Sequence, residues 1–600
     1  MSGRGRSGLT RWLPILAWGR RYDRKIFGED LVAAAIVTLM LIPQALAYAM
    51  LAGLPPVVGL YASLLPLIVY TLMGSSSTLS VGPMAVVSLM TAAALSRVAE
   101  ADSAGYAAAA LVLALLSGGI LLIMGVCRLG FLINFLSHPV MTGFVSASGL
   151  LIAASQLKHL LGIPLSGSTL PALLSRLPSA LERLNLPTLA MGCASLIMLW
   201  LIRRWGKAGL ERCRVPSRAA GMLVKLAPIA TVAIAALAAS TVGWLGHDVS
   251  TIGKIPTGLP SLMLPPWDPG LWRTLIWPAI LISIVGYVES VSVAQALAIR
   301  RGERLDPDQE LVGLGGANLA ASISGGMPIT GGFSRSVVNF DAGARTPAAG
   351  AYTAVGIAVV MLLFAPWLRE LPMAALAAVI VIAVLSLVDL PAFARVWRYS
   401  RGEGVAMAAT AVATLLLGVE IGILVGVGMS LALHLYGTSR PHSAEVGRIP
   451  GTEHFRNIRR HAVETDSHLA ILRVDESLYF ANVRYLEDLV TMVTSRDPPP
   501  RNLVLTCQAV NVIDASALES LEALNRRLTN QGVGLHLAEV KGPVMDRLSH
   551  TGLLESLNGR VFLSTFEAWR ALHGRGPARL SMPCIATPGV TFPSPRQSAS

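Results

Sequence analysis

Two stretches of this chain, residues 31–50 and 107–126, contain no charged side chain and are almost entirely apolar. A helix of about 20 such residues crosses the roughly 30 Å hydrocarbon core of a bilayer. The whole chain follows the same tendency, because 53% of its residues are hydrophobic and only 14% are charged. An ordinary soluble domain has about 25% charged residues. The sequence therefore predicts a multi-pass membrane protein.

Further apolar runs have the length of a membrane span. They lie near residues 55–73, 131–153, 189–202, 222–245, 272–298, 347–366, 371–389, 404–418 and 420–437. Three shorter or glycine-interrupted runs, near residues 81–95, 309–323 and 334–346, bring the predicted number of spans to fourteen. We therefore assign residues 29–438 to an all-α transmembrane domain.

Basic residues predict the orientation of these spans. Seven of them precede the first span: Arg4, Arg6, Arg11, Arg20, Arg21, Arg24 and Lys25. If this end is cytoplasmic, the loops after even-numbered spans are cytoplasmic too, and they are rich in arginine, as in "RRGER" at 300–304. Such a bias is the usual orienting signal. We expect segment 1–28 in the cytoplasm and the protein in a cell inner membrane. The uneven distribution of the +13 net charge argues against a nucleic-acid partner.

The residues alone argue against several other function classes. The five cysteines are scattered, with no Cys-X-X-Cys motif and no histidine cluster at metal-ligand spacing. We therefore expect neither a disulfide framework nor a metal site. The first apolar run lacks a small-residue cleavage site, so no cleaved signal peptide is expected. Since no nucleophile–base pair or glycine-rich phosphate loop is present, we expect neither an enzyme nor a bound cofactor.

The chain changes character near residue 444. The segments "HLAILRVDESLYF", "NLVLTC" and "VGLHLAEV" have strand patterns, and "VRYLEDLVTMV", "SALESLEALNRRL" and "GPVMDRLSHTGL" have helical spacing. Strands that alternate with helices predict a small α/β domain over residues 444–572. The remaining segment, 574–600, is rich in Pro, Ser and Gly and is predicted to be disordered.

Two polar, glycine-rich breaks interrupt the apolar part, at 74–90 ("GSSSTLSVGPMAVVSLM") and 324–343 ("SGGMPITGGFSRSVVNFDAG"). Such segments are tolerated at membrane depth only where they are buried in protein or line a wet cavity. Paired breaks in two halves of a membrane protein indicate a transporter's binding site. They predict two repeats of seven spans, and an odd repeat length makes the repeat inverted. The alternative is a pair of ordinary glycine-rich loops.

These residues resemble a known family, the SulP anion transporters. The resemblance rests on "PVVGLYASLLPLIVYTLMGSSS" (56–77), "LSVGPMAVVSLM" (79–90) and "GGFSRSVVNFDAGARTPAAG" (331–350). The first motif departs from the family at Val58 and Ser77, where an aromatic and a basic residue are usual. The soluble part resembles the STAS domain of these proteins, above all in "VNVIDASALESLEAL".

The resemblance implies where an anion binds. In similar proteins the third and tenth spans are half-helices whose N-termini face each other near the bilayer midplane. The implied substrate-binding residues are Gln44, Tyr48, Val81, Met84, Phe333, Ser334 and Arg335. On the residues alone, Gln44 and Tyr48 share a helical face because they are four apart, which also suits helix packing. Met84 would be a core residue, and Arg335 would equally suit a cytoplasmic loop.

Two further residues are candidates for special roles. Glu289 is an acid in the middle of a predicted span, where acids are functional by default, and we expect it to be the proton-coupling site. Val293 stands where sodium-coupled relatives have a hydroxyl, which disfavours sodium. The alternative is that Glu289 forms a structural ion pair, for which Arg335 is a candidate partner. Ser516 corresponds to a phosphorylated, regulatory serine of related STAS proteins, or it belongs to a helix N-cap region.

The sequence is therefore interpreted as a secondary active transporter of an inorganic oxyanion, with sulfate taken up by proton symport through alternating access. A bicarbonate or C4-dicarboxylate transporter of the same family remains open. So does a protein of another class, a membrane-tethered STAS signalling or scaffold protein. The expected partners are the oxyanion, protons, the lipid bilayer, a second copy in a homodimer, and cytoplasmic proteins that bind the STAS domain.

Overall fold

The computed structural model describes residues 12–98, 103–131, 137–165, 167, 169–242, 249–253, 258–574 and 579–581. It divides into two compact units, Met1–Ser430 and Leu431–Ser600. The first unit is almost entirely helical and the second contains a mixed sheet with helices. The predicted all-α membrane part followed by a small α/β domain is thus confirmed.

The helical part consists of α-helices that differ widely in length. In chain order they are α1 (Ile15–Trp18), α2 (Arg24–Leu51), α3 (Pro56–Tyr61), α4 (Leu65–Met73), α5 (Ala85–Leu95), α6 (Ala104–Val126), α7 (His138–Ser155), α8 (Leu157–Leu161), α9 (Leu170–Leu181), α10 (Leu186–Leu201), α11 (Lys207–Arg212), α12 (Ser217–Lys225), α13 (Ala227–Val242), α14 (Pro269–Arg301), α15 (Pro307–Ile323), α16 (Phe333–Asp341), α17 (Ala348–Leu368), α18 (Met373–Leu385), α19 (Leu390–Tyr399), α20 (Arg401–Leu417) and α21 (Val419–Ser439). Two short strands, β1 (Val81–Gly82) and β2 (Thr330–Gly331), precede α5 and α16.

Many of these helices suit a membrane. Among the described residues, eight helical segments are long and apolar enough to cross a bilayer, and three apolar helices are shorter. The predicted number of fourteen spans is not tested by this finding and stays a prediction. The predicted span 55–73 is made of two helices, because the chain leaves the helix after Tyr61 and restarts just before Pro66. Proline lacks an N–H and is tolerated in the first turn of a helix.

The helix α2 shows how one span changes environment along its length. It begins after Asp23, whose side chain accepts a hydrogen bond from the Ile26 N–H at 2.8 Å. In its first half Leu31 and Val32 are exposed, as expected for a lipid-facing surface. Every residue from 40 to 51 is buried. A helix that is apolar and buried all round lies inside its protein, so the second half of α2 passes through the centre of the helical unit.

The two breaks meet each other. Strand β1 pairs antiparallel with β2, with Val81 opposite Gly331 and Gly82 opposite Thr330. The elements follow the same order in both halves, from α2 to α5 and again from α14 to α16. A long helix is followed by one or two shorter helices, a two-residue strand and a short helix. An antiparallel pair is what two repeats of opposite orientation would form, and the seven-plus-seven repeat stays a prediction that this order favours.

The second unit contains the remaining strands and helices. They are β3 (Ser443–Arg448), β4 (Phe455–Asn457), β5 (Val463–Thr465), β6 (Leu469–Val474), α22 (Val483–Thr494), β7 (Asn502–Thr506), α23 (Ala515–Asn530), β8 (Gly534–Ala538), α24 (Gly542–Leu548), α25 (Leu553–Ser556), β9 (Val561–Phe562), α26 (Thr565–Leu572) and β10 (Arg579–Ser581). The sheet order is β10-β5-β3-β6-β7-β8-β9, and β4 pairs with β3.

The centre of this sheet is parallel. Strands β6, β7, β8 and β9 run in the same direction. Their side chains are buried almost without interruption, as expected for a parallel sheet covered by helices; Leu472, Leu505 and Leu537 are in register and at most 2% exposed. The strands and helices predicted from the sequence are confirmed here.

The predicted disorder of residues 574–600 falls largely outside the described residues. Within that segment, however, Arg579–Ser581 forms strand β10 and pairs antiparallel with β5. Backbone pairing with an available sheet edge therefore orders three residues for which the composition favoured disorder.

The buried core of the STAS-like unit makes one thiol unreactive. Burial, with a smaller contribution from the Glu539 carboxylate, raises the pKa of Cys507 to about 12. Since the thiolate is the nucleophile, the Cys507 thiol is expected to react far more slowly than an exposed thiol at pH 8. We expect N-ethylmaleimide to modify the exposed Cys213 but not Cys507 in the folded protein, and both in denaturant. Peptide mass spectrometry measures this, and equal modification of both under native conditions would contradict the described core.

Candidate functional site

A short helix begins within each of the two breaks. Helix α5 starts after Met84 and helix α16 after Gly332, and neither N-terminus is capped by a side chain of the described residues. The first backbone N–H groups of a helix have no partner within it. Together with the helix dipole they act as about half a positive charge. Each half-helix therefore presents an uncapped, electropositive end.

Arg335 lies between these two ends. It belongs to the first turn of α16, and its side chain is only 1% exposed. Its Nη1 donates a hydrogen bond to the carbonyl oxygen of Pro83 at 2.6 Å, so it reaches the residue pair that precedes α5. Its Nε and Nη2 atoms are buried and have no hydrogen-bond partner among the described residues. A guanidinium stays charged in a protein, and two of its donors are therefore directed at nothing in the described chain.

Glycines make room for this guanidinium. A Cβ at Gly332 would lie 2.9 Å from the Sδ of Met84 and 3.0 Å from the Nη2 of Arg335. Gly82 has a φ of 152°, which side-chain-bearing residues rarely adopt, and a Cβ there would lie 3.4 Å from the same nitrogen. Both breaks thus contain a glycine at which an added Cβ would contact the guanidinium of Arg335.

The second break is held by two long helices. The N–H of Gly331 donates to the Oγ of Ser290 on α14 at 2.8 Å, and the Thr330 hydroxyl donates to the Gly286 carbonyl at 2.6 Å. Asn318 on α15 both donates to the Ile329 carbonyl at 3.0 Å and accepts from the Ile329 N–H at 2.9 Å. These side chains satisfy the backbone groups that the broken helix leaves free.

The first break is held in the same manner and from the other half of the unit. The buried carboxylate of Glu310 on α15 accepts hydrogen bonds from the N–H groups of Ser75 and Ser76 at 2.8 Å. It also accepts from the Ser75 hydroxyl at 2.6 Å and the Tyr70 hydroxyl at 2.7 Å. A buried carboxylate with four donors is well compensated, and it fixes the loop that leads into β1.

Direct bonds also join the two breaks. The N–H of Ser80 donates to the Ser336 hydroxyl at 3.0 Å, and the N–H of Gly332 donates to the Ser80 carbonyl at 3.0 Å. Asn339 donates to the Thr78 carbonyl at 3.1 Å. The two half-helices are consequently positioned by each other, and the site exists only when both halves of the unit are assembled.

The predicted binding residues on α2 and at the first break are buried. Gln44 and Tyr48 lie on the buried half of α2, and Val81 and Met84 are buried at the first break. Tyr48 interacts electrostatically with Arg335.

Two other predicted residues, Phe333 and Ser334, open the second half-helix and are exposed, with half of the Phe333 surface accessible. Five of the predicted residues thus lie at the two breaks, and Tyr48 interacts with the Arg335 of the second break. The assignment of these residues to anion binding stays a prediction.

Glu289 lies on α14 and is buried with its Oε2 unpartnered among the described residues. It interacts electrostatically with Arg335, yet no described carboxylate lies within the 4.0 Å of an ion pair with Arg335. The direct ion pair between the two residues, which the sequence left open, is therefore absent from the described structure. Glu289 and Arg335 therefore interact electrostatically without a direct ion pair.

Four residues of the site were missed by the sequence analysis: Ser290, Glu310, Asn318 and Thr330. The signal for Glu310 and Asn318 was present, because both are polar residues within a predicted apolar run. Thr330 lies within the second break, which the sequence had singled out as a whole. Ser290 carried no such signal, since single hydroxyls are common in membrane helices. Among the described residues, no group of His, Cys, Asp and Glu could hold a metal ion.

The sequence left two roles open for Ser516, phosphorylation and helix capping, and its position bears on the second. The N-cap of α23 is Asp514, whose carboxylate accepts from the Ala517 N–H at 2.8 Å. Ser516 itself lies in the first turn of that helix and is exposed. The capping role therefore belongs to Asp514, and the phosphorylation of Ser516 stays an untested prediction.

Together these features define a class: a multi-pass membrane protein with a buried cationic site between two opposed half-helices, and with a separate α/β unit. Residues 27–410 match the model of the sulfate permease family, and residues 460–568 match that of the STAS domain. The chain belongs to the sulfate permease family.

Relatives agree with this assignment over nearly the whole chain. The chain is 36% identical to a protein of Arabidopsis thaliana named probable sulfate transporter 4.2, over 92% of this chain and 81% of that protein. It is 33% identical to a probable sulfate transporter of Mycobacterium tuberculosis, over 94% of this chain and 98% of that protein.

Solved structures share the fold. The structure of the murine Solute Carrier 26 family member A9 anion transporter in the inward-facing state superposes with a TM-score of 0.84, at 23% identity, over 95% of this chain and 96% of that one. The transmembrane domain of the cyanobacterial bicarbonate transporter BicA superposes with a TM-score of 0.58, at 21% identity, over 68% of this chain and 98% of that one.

The tight contact at Gly332 generates a prediction. Gly332→Ala should destabilise the protein by about 1 kcal/mol, the lower end of the usual cost of overpacking, because its methyl group would displace the flexible side chains of Met84 and Arg335. Gly119→Ala on α6 is the matched control, since nothing lies within 4 Å of its added Cβ. Thermal unfolding of the detergent-solubilised variants measures the difference. An unfolding midpoint for Gly332→Ala that equals that of Gly119→Ala would argue against the described packing.

Proposed function

We propose that this protein is a secondary active transporter of an inorganic oxyanion, that sulfate is its substrate, and that the anion binds between the N-termini of α5 and α16. The observation that carries the proposal is the buried guanidinium of Arg335, with two unpartnered donor nitrogens and no described carboxylate in ion-pair range. Burying an uncompensated charge is costly, and a bound anion would supply the missing partner.

The charge of the site supports a divalent ligand. Two helix N-termini contribute about half a positive charge each, and Arg335 adds one, so the sum is about +2. Sulfate nearly cancels this charge. Bicarbonate would leave about +1 uncompensated in a poorly solvated site, and a C4-dicarboxylate would separate its two charges. The names of the Arabidopsis and mycobacterial relatives as probable sulfate transporters support the same choice.

A membrane-tethered STAS scaffold is the alternative from another class. The buried Arg335 and the braced breaks argue against it, because an anchor needs no charged site at membrane depth. For the transporter we propose alternating access, a cell inner membrane, a cytoplasmic N-terminus and STAS domain, and a homodimer. The exposed Ser516 and other proteins that bind the STAS domain are proposed to regulate it.

We propose further that the protein couples sulfate to protons through Glu289. With anion bound and the site near neutrality, an ionised Glu289 would add about −1 to a buried region. Protonation of Glu289 and anion binding should therefore favour each other, and such reciprocal coupling is what symport requires. Val293, one turn later on α14, offers no oxygen ligand to sodium.

Uptake into proteoliposomes tests the proposal as a whole. Labelled sulfate, bicarbonate and succinate should be compared under imposed pH and sodium gradients. We expect sulfate accumulation that responds to an inward proton gradient and not to sodium. Uptake of bicarbonate or succinate in preference to sulfate would assign the substrate differently, and the absence of any transport would favour the scaffold.

The role of Arg335 gives a specific prediction. Arg335→Ala should weaken sulfate binding by roughly 10- to 150-fold, since hydrogen bonds to charged groups contribute about 1.5–3 kcal/mol. Arg335→Lys should restore part of the affinity, because a point charge replaces a planar fork. Arg300→Ala, an exposed arginine on α14, is the control. Calorimetric binding to purified protein measures this, and unchanged affinity in Arg335→Ala would refute the site.

Proton coupling gives another prediction. Glu289→Gln mimics the protonated carboxyl group, so the variant should still bind sulfate and exchange it across the membrane. It should lose accumulation driven by an inward proton gradient, and its sulfate binding should depend less on pH. Glu303→Gln, an exposed acid just after α14, should behave as the unmodified protein. Proton-driven accumulation that survives in Glu289→Gln would exclude Glu289 as the coupling residue.

A further inference from the structure

A large apolar cavity, partly open at the surface, lies against the middle of α2, and Arg335 does not line it. Its volume is about 920 Å³, and α2, α13 and α17 form its walls. Its lining includes Leu39, Ile42 and Pro43 of α2, Val232 and Ala233 of α13, and Phe364 of α17. These side chains offer no hydrogen-bonding group. An apolar cavity of this kind does not hold ordered water well, and its size is that of a ligand pocket.

The polar residues of the lining are confined to one end. Ser240 lies in the last turn of α13, and Arg369 and Glu370 directly follow α17. Trp367, in the last turn of α17, is 76% exposed. Tryptophan and arginine at the end of an apolar helix are typical of the interface between hydrocarbon and headgroups. The cavity thus has an apolar interior and one charged, interfacial rim.

The guanidinium of Arg369, at the rim, is available to a negatively charged ligand. Arg369 pairs with the adjacent Glu370 at 2.8 Å, with more than half of the arginine side chain exposed. Exposed ion pairs of this kind are weak, so the guanidinium can turn towards a phosphate. An apolar tail with a phosphate at one end is the chemistry of a membrane phospholipid. We propose that this cavity binds one acyl chain of a phospholipid, with the headgroup phosphate at Arg369.

This occupant would contact the helix that carries two of the predicted anion-binding residues. Pro43 forms part of the cavity wall and directly precedes Gln44, and Tyr48 lies one turn further on. Proline has no N–H to donate to the carbonyl four residues earlier, here that of Leu39, and helices bend at such points. An acyl chain packed against Leu39, Ile42 and Pro43 supports α2 where its own hydrogen bonding is interrupted. The lipid site itself does not depend on the identity of the transported anion.

Photocrosslinking tests the proposal directly. The full-length protein is reconstituted in vesicles of phosphatidylethanolamine and phosphatidylglycerol that contain a trace of phosphatidylglycerol with a diazirine in one acyl chain. After illumination, peptide mass spectrometry should find adducts concentrated in residues 229–240 and 360–371. An excess of unlabelled phosphatidylglycerol should suppress them. Adducts spread evenly over the exposed apolar surface, without saturation, would overturn the proposal, and so would crosslinks between two copies of the chain at these residues.

Substitutions on α13 add a matched comparison. Ala233→Trp fills the cavity from its wall, whereas Ala238→Trp places the same side chain on an exposed position of the same helix that does not line the cavity. Adducts should be lost in Ala233→Trp and retained in Ala238→Trp; equal labelling would overturn the proposal. Arg369→Gln should lower the labelling by the phosphatidylglycerol probe roughly fivefold relative to a diacylglycerol probe with the same diazirine-bearing chain, which has no phosphate. An unchanged ratio would overturn the assignment of the headgroup.

Discussion

The central constraint on the helical unit is the buried guanidinium of Arg335, which the surrounding residues must accommodate. It cannot lose its proton, it is 1% exposed, and one of its nitrogens is bonded to the Pro83 carbonyl while two others are free of described partners. A charge in this position is tolerable only if its surroundings are rigid and if a ligand completes its coordination. The glycines at 82 and 332 and the two half-helix ends supply the first condition, and the proposed anion supplies the second.

The rigidity comes from polar side chains that replace broken helical hydrogen bonds. Asn318 and Ser290 hold the second break, and Glu310 holds the first. Each of these residues belongs to α14 or α15, so the second half of the unit braces both breaks. A broken backbone inside a membrane must find its partners within the protein. The arrangement explains why polar residues occur at these positions in helices that are otherwise apolar.

The same helical unit combines two kinds of surface around α2. Tyr48 interacts electrostatically with Arg335, whereas Leu39, Ile42 and Pro43 line an apolar cavity with Arg369 at its rim. Pro43 also removes a hydrogen bond from the helix. Charge compensation and apolar packing therefore act on one segment of α2, and the proposed transport and lipid binding would meet there.

Local patterns in the sequence predicted the membrane character, the two breaks and the strands and helices of the STAS unit, because hydrophobic period and glycine content report on nearby residues. Contacts between residues that are far apart in the chain were decided by the tertiary structure alone. The bond from Arg335 to Pro83 joins positions 252 apart, and Glu310 reaches Ser75 across a comparable separation. Sequence could not tell whether Glu289 pairs with Arg335, nor that Asp514 rather than Ser516 caps α23. Such contacts follow from how helices pack, and no local pattern in a single chain encodes them.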